Sequence, residues 1–223
     1  MNHSILVNSP LFRGLSASGI NDILNTVHHR FRNYNSGEMI AVSGEKVERL
    51  HIVVKGAVKG EMVDYTGRVI KIEDIQSPGV LAPAFLFGVN NFFPVNVIAL
   101  TETELLVIER EDFLSMIMAH HIVLVNFLNL ISSRSQFLSE KIKFLNFKTI
   151  KGKLAYYFLQ KSGNGNNSFR LDLTQNELAD FFGVARPSVA RVIGELEAGG
   201  LLVAEGKSIS ILDKQGLADF VMD

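Results

Sequence analysis

Apolar positions change their spacing along the chain, and each change predicts a different kind of element. Through residues 10–30, PLFRGLSASGINDILNTVHHR, they cluster as in short helices. Between 31 and 108 they form short runs rich in β-branched residues: EMIAVSG, RLHIVVKGAVKGEMV, RVIKIEDI, VNVIAL and TELLVIE. Gly37, Gly44, Gly56, Gly67 and Gly79 punctuate these runs. Regular short strands separated by glycine turns predict an all-β sandwich or barrel. From Glu111 to about Gln160 the spacing becomes helical.

Within that helical stretch Leu124, Leu128, Ile131, Ser135, Leu138, Ile142 and Leu145 recur at alternating spacings of four and three. This is a heptad seam with one polar member, Ser135. A second stripe, Val123, Phe127, Leu130, Phe137 and Phe144, runs beside it. A helix with two apolar faces needs two partners. One face packs on the chain's own β domain; the other takes the same helix of a second subunit, or else the whole helix is wrapped by its own chain.

The loop KSGNGNNSF, Lys161 to Phe169, separates this helix from a smaller helical unit. Thr174-Gln175-Asn176-Glu177 is a capping box, in which the threonine hydroxyl caps an early N–H and the glutamate reaches back. It opens a helix that buries Leu178, Ala179 and Phe182 and ends at Gly183, a residue free to take positive φ. Val189, Ile193 and Leu196 mark the inner face of the next helix. Pro187 fits the first turn, where a missing N–H costs little, and it biases Arg186 away from helical geometry, so the helix is expected to start at about Pro187. LLVAEGKSISIL then reads as a hairpin around Glu205-Gly206-Lys207. Helix, glycine turn, helix and hairpin in that order predict a winged helix-turn-helix, with Arg186, Ser188 and Arg191 at the mouth of the second helix. Arginine matches the two acceptors of guanine in a bidentate way. The competing reading is a helical hairpin in an ordinary core, with the arginines as solvated charges.

Charge restrains the DNA reading without removing it. The chain has 223 residues and a net charge of -1. From Thr149 onward eight Lys/Arg face nine Asp/Glu, so any basic surface is local. Arg134, Lys141, Lys143, Lys148, Lys151 and Lys153 form one such run, opposed only by Glu140. There are no cysteines, which excludes disulfides, thiolate-bound zinc, cysteine-ligated iron–sulfur clusters and cysteine nucleophiles. The N-terminal MNHSILVNSP lacks the pattern of a signal peptide, and IVLVNFLNLI is too short to span a bilayer, so a cytoplasmic protein with no membrane partner is expected.

The order of parts resembles the Crp/Fnr family of bacterial transcription regulators, most closely in LTQNELADFFGVARPSVARVIGELEAGGLLVAEGKSISI. The resemblance implies an α+β fold: an antiparallel, jelly-roll-like β-roll with flanking short helices over 1–121, a dimerisation helix over 122–147, and a winged helix-turn-helix over 148–223. It implies no enzyme and no cofactor. Its implied partners are double-stranded DNA carrying an inverted repeat, a second copy of the chain, and RNA polymerase. Arg186 and Arg191 fall on the family's guanine-reading positions, and Thr174, Asn176, Ser188 and Lys207 on phosphate-contacting ones. Pro187 stands where well-known members place a glutamate that accepts from cytosine, and Ala185 replaces a serine, so the usual half-site is not expected.

The effector site departs further. The family's cyclic-nucleotide cassette uses a glycine and a glutamate for the ribose, then an arginine and a serine or threonine for the phosphate. In LAPAFLFGVNNFFPVNVIAL, Ala82 and Pro83 take the first places and Phe93 and Pro94 the second. No cation or hydroxyl remains there to hold a buried phosphodiester, so cyclic nucleotides are not expected as effectors. The candidate effector set implied by the resemblance is Ala82, Pro83, Phe85, Phe93 and Pro94, with Leu138 and Ser139 from the long helix. Phe85, Phe87, Phe92, Phe93 and Pro94 either line a pocket for a small apolar ligand or simply fill the roll. No metal site is expected: His28–His29 and His120–His121 are adjacent pairs that point to opposite sides, and His51 stands alone in a strand. Two other functions compete, a cupin-like metal enzyme with accessory helices and a module that binds only protein. The first needs clustered histidines and carboxylates on neighbouring strands, and the β region offers only His51.

Overall fold

The computed structural model describes residues 3–64, 66–145, 147–163 and 166–222. The chain divides into two compact units, Met1–Arg134 and Ser135–Asp223.

In the first unit, short 3-10 turns at His3–Asn8 and Pro10–Phe12 lead into helix α1, Ala17–Leu24, whose N-cap Ser16 accepts the Gly19 N–H at 3.1 Å. Strands β1 (His29–Tyr34), β2 (Met39–Ala41), β3 (Arg49–Lys55), β4 (Ala57–Val63), β5 (Val69–Gln76), β6 (Val80–Leu81), β7 (Asn96–Ala99) and β8 (Thr103–Glu109) follow. They form two antiparallel sheets in the orders β1-β8-β3-β6 and β2-β7-β4-β5. Leu50, Ile52 and Leu106 of the first sheet share one core with Ala41, Val58 and Val97 of the second and with Leu11, Phe12 and Ile20 ahead of them. Burying each large aliphatic side chain in that core contributes about 1.5–3 kcal/mol. The β3–β4 turn requires its glycine: Gly56 has φ 81°, and a Cβ there would lie 2.3 Å from the Glu102 carbonyl oxygen. One assignment is corrected and one strand was not anticipated. His29 and Arg30 belong to β1 rather than to the helical lead-in, because HRFRNY pairs along β8 although its apolar alternation is weak. β6, only two residues long, has too little sequence to carry a periodicity.

Helix α2 (Arg110–Ala119) turns at His120 into α3 (His121–Leu145). No single helix among the described residues is long and apolar enough to cross a membrane. The two apolar stripes of α3 have different fates. Val123 and Phe127 are buried in the first unit's core, and Phe144 in the second's. Leu130 and Phe137 of that same stripe are only partly covered. Along the seam Leu124 and Ile131 are half-buried, whereas Leu128, Leu138 and Ile142 are 48%, 48% and 61% exposed. Ser135 is exposed too, and the side chain of Leu145 lies outside the described residues. Asn126 pins the start of α3 to the N-terminal segment, donating from Nδ2 to the carbonyls of Leu11 at 3.0 Å and Arg13 at 2.9 Å.

The second unit contains α4 (Ile150–Ser162), β9 (Ser168–Arg170), α5 (Gln175–Phe182), α6 (Arg186–Ala198), β10 (Leu202–Glu205), β11 (Ser208–Ile211) and α7 (Lys214–Met222). Thr149 caps α4 by accepting the Gly152 N–H at 3.0 Å. Phe144, Tyr157, Phe181 and Phe182 form an aromatic cluster, with ring centroids 5.0 Å apart for Phe144–Phe181 and Phe144–Phe182. The expected hairpin is β10–β11, closed between Glu205 and Ser208 over Gly206-Lys207. β9 extends it to three strands by pairing Phe169 with Ile209. β9 begins inside the stretch read as a loop, of which Asn164 and Gly165 fall outside the described residues.

Candidate nucleic-acid interface

The second unit builds its exposed helix face from the turn upward. The capping box of α5 is closed in both directions: Glu177 donates its N–H to Thr174 Oγ1 at 3.3 Å, and Thr174 donates its N–H to Glu177 Oε2 at 2.6 Å. The Thr174 hydroxyl also donates to that carboxylate, at 2.7 Å. The Thr174 backbone N–H, and then its hydroxyl, hold the Glu177 carboxyl below its ordinary range, with Lys207 adding a smaller effect. Gly183 ends α5 at φ 68°, ψ 38°, left-handed geometry suited to glycine. Lys153 reaches across from α4 and donates to the Phe182 carbonyl at 3.2 Å, satisfying an end of α5 that would otherwise be open.

Ala185 is the extended N-cap of α6, and Arg186 is already its first helical residue. The helix therefore starts one residue before Pro187. The clash that a proline imposes on its predecessor is a bias and not a bar, and the missing N–H still falls among the first-turn groups that lack intrahelical partners. At about 100° per residue, Arg186, Pro187, Ala190, Arg191 and Gly194 occupy one arc of the helix, and all are exposed. Val189, Val192, Ile193 and Leu196 occupy the opposite arc and are buried. Ser188 is half-buried at the flank. The structure thus brings Arg186, Pro187 and Arg191 to one outward face. Thr174 and Asn176 are exposed at the start of α5, and Lys207 lies in the hairpin turn, near enough to act on the Glu177 and Asp172 carboxyls.

Sequence reading missed Glu195. Its carboxylate receives Arg191 Nη1 through one oxygen, at 2.5 Å, and Lys151 Nζ of α4 through the other, at 3.3 Å. The hydrogen bond from Lys151 is the largest effect holding the Glu195 carboxyl below its ordinary range; Arg191 contributes as well. The basic run on α3 and α4 is accordingly not one solvated patch. Lys151 and Lys153 are committed inside the second unit, and Arg134 pairs with Glu73 at 2.8 Å inside the first. Lys143 and Lys148 are exposed.

The first unit holds the cassette. Ala82 has φ 43°, ψ 41°, left-handed geometry for a non-glycine residue, and it opens the 3-10 turn Pro83–Phe85. Phe93 is buried, its ring centroid 6.2 Å from that of His51, while Pro94 is exposed. Phe85 packs against the core, Phe87 lies against Phe113 and Phe127, and Phe92 is exposed. The cassette aromatics therefore do not converge on one lining. Leu138 and Ser139 are exposed on the part of α3 that belongs to the second unit. Among the described residues Nδ1 of His51 is buried without a hydrogen-bond partner, and burial, reinforced by the Arg49 charge, lowers its pKa to about 4. Among the described residues no three His, Asp or Glu side chains group as metal ligands would.

Comparison with known proteins agrees in both units. Residues 152–220 match the profile of the Crp-like helix-turn-helix domain, and residues 31–120 that of the cyclic nucleotide-binding domain. The transcriptional activator protein FnrA of Stutzerimonas stutzeri is 28% identical over 208 residues, covering 88% of this chain and 82% of that protein. The cyclic AMP receptor protein of Thermus thermophilus is 26% identical over 199 residues, covering 87% of this chain and 88% of that one. The crystal structure of the Thermus thermophilus catabolite activator protein covers 96% of this chain and 98% of its own, with a TM-score of 0.56 at 23% identity, a likeness of fold.

Proposed function

Since the chain belongs to the Crp/Fnr family of bacterial transcription regulators, we propose that it acts as a homodimer on an inverted-repeat operator in the cytoplasm and does not answer to cyclic nucleotides. Residues 1–121 serve as the sensor region, 122–147 as the dimerisation helix and 148–223 as the DNA-binding domain. The observation that carries the reading is the outward arc of α6. Arg186, Pro187 and Arg191 are exposed together at its N-terminal half, while the opposite arc is fully committed to the core. That is the arrangement in which a recognition helix presents its first turns to base edges. Arg186 and Arg191 each read a guanine. Thr174, Asn176, Ser188 and Lys207 meet phosphates and set the register. Pro187 offers only apolar contact, as to a thymine methyl, because its side chain has no donor or acceptor. RNA polymerase is the expected protein partner at the promoter. Any effector held by the roll is small and apolar, because the cassette supplies Phe93 and Pro94 where a phosphate needs a cation and a hydroxyl.

Selection from random duplex DNA tests this. The wild type should enrich an inverted repeat with half-site centres one helical turn, about 34 Å, apart. Arg186→Ala or Arg191→Ala should each weaken the best site by about 1–3 kcal/mol and relax one base position per half-site. Pro187→Glu should move the preferred half-site. If Pro187→Glu and wild type enrich the same half-site, position 187 does not face the bases and this placement of α6 is wrong.

A further inference from the structure

Arg191 is a poor reader if its side chain is free. It is 65% exposed, and a long, solvated guanidinium samples many rotamers, whereas a bidentate contact to guanine needs its planar fork in one orientation. Glu195 lies one turn further along α6, on the flank between the outward and buried arcs. An arginine that precedes its glutamate by four residues is the weaker orientation of such a helical pair, so this contact alone would hold the fork loosely. A second cation changes that. Lys151, projecting from α4 and only 31% exposed, takes the other carboxylate oxygen. Glu195 is therefore fixed from two elements, and through Nη1 it fixes the guanidinium. Among the described residues no acceptor meets Arg191 Nε or Nη2, which leaves that edge of the fork for a ligand.

We propose that Glu195, clamped by Lys151, is a specificity-determining positioning residue that presents the free edge of Arg191 to guanine and penalises any other base. On guanine, Arg191 bonds to the base with Nε and Nη2 and keeps Glu195 on Nη1. On another base that edge gains little, and the cost of bringing the Glu195 carboxylate toward polyanionic DNA, the same for every sequence, is left without the guanine contact that offsets it, which sharpens partner choice at some loss of affinity. This rests on the base-reading role of α6 given above.

The test is selection and competition binding with full-length Glu195→Ala and Glu195→Gln, their folding checked by circular dichroism melting. Glu195→Ala should cut the guanine preference at the Arg191 position by roughly tenfold, within the range of one bidentate contact, and leave the Arg186 position unchanged. Its affinity for random duplex DNA should rise, with a steeper salt dependence, because an opposing charge has been removed. Glu195→Gln, which keeps an acceptor without the charge, should fall between. A guanine preference at the Arg191 position equal to wild type overturns the proposal, and so does an equal loss at every position, which would mean a reseated helix. If wild type itself shows no base position that Arg191→Ala relaxes, the base-reading role of α6 fails and this inference fails with it. If Arg191→Ala relaxes a position that Glu195→Ala leaves intact, only the positioning role fails.

Discussion

His51 places a titratable ring where a proton is costly. It sits in β3 beside Phe93, and burial first, then the charges of Arg49 and Arg32, oppose a proton more than the Arg49 backbone and Glu109 favour one. Its folded-state pKa is about 4 against an ordinary 6.5. Below pH 6.5 the unfolded chain therefore binds more protons at this position than the folded one does. Stability contributed by the neutral ring is complete above pH 6.5 and is lost progressively as the pH falls toward 4, where the folded ring begins to charge. Urea unfolding between pH 7 and pH 4 should show wild type losing about 3 kcal/mol more than His51→Phe over that interval. Parallel pH profiles for the two proteins would mean that the ring is solvated in the folded state. That His51 lies in a strand was legible from RLHIVVK. That its Nδ1 is covered was not, because the cover comes from residues far away in the chain.

Among elements, those with local instructions were legible and those held by distant partners were not. The α5 capping box, the Gly183 stop, the tolerance of Pro187 in the first turn of α6 and the glycine-closed hairpin all follow from backbone chemistry within a few residues, and each is present. β9 and β6 exist because β11 and β3 offer them edges, and three or two residues carry no periodicity that could announce this. The Lys151–Glu195 contact joins α4 to α6 and is invisible in either helix alone. The cassette lies between these cases. Its sequence gives the residue types, and Ala82 adopts the left-handed geometry for which a glycine is the ordinary choice. Phe93, which the resemblance to the family's cassette sets against a phosphate ligand, is buried and its ring lies near that of His51, which burial keeps neutral. Neither can compensate a phosphodiester charge. Calorimetry with millimolar cyclic AMP or cyclic GMP should therefore give no saturable heat, and a micromolar dissociation constant for either would mean that the anion is held by residues outside this cassette.

At the scale of the whole molecule, the two apolar stripes of α3 must be satisfied differently. Val123, Phe127 and Phe144 are already covered within the chain, while Leu128, Leu138 and Ile142 remain about half exposed or more. A run of large apolar side chains exposed at heptad spacing is the pattern that a second strand of a coiled coil would cover. A parallel pair of α3 helices would cover it and would relate the two copies of α6 by a two-fold axis, matching an inverted repeat. Aspartate at Leu128 and Leu138 puts charge into such a seam at little cost to an isolated chain, since both positions are solvent-accessible there. The double variant should therefore keep its circular dichroism spectrum, run as a monomer in sedimentation velocity, and lose operator binding while retaining weak, salt-sensitive binding to any DNA, because one α6 reaches only half a site. Dimers of undiminished stability in the double variant would place the subunit contact elsewhere and leave the seam without a role in assembly.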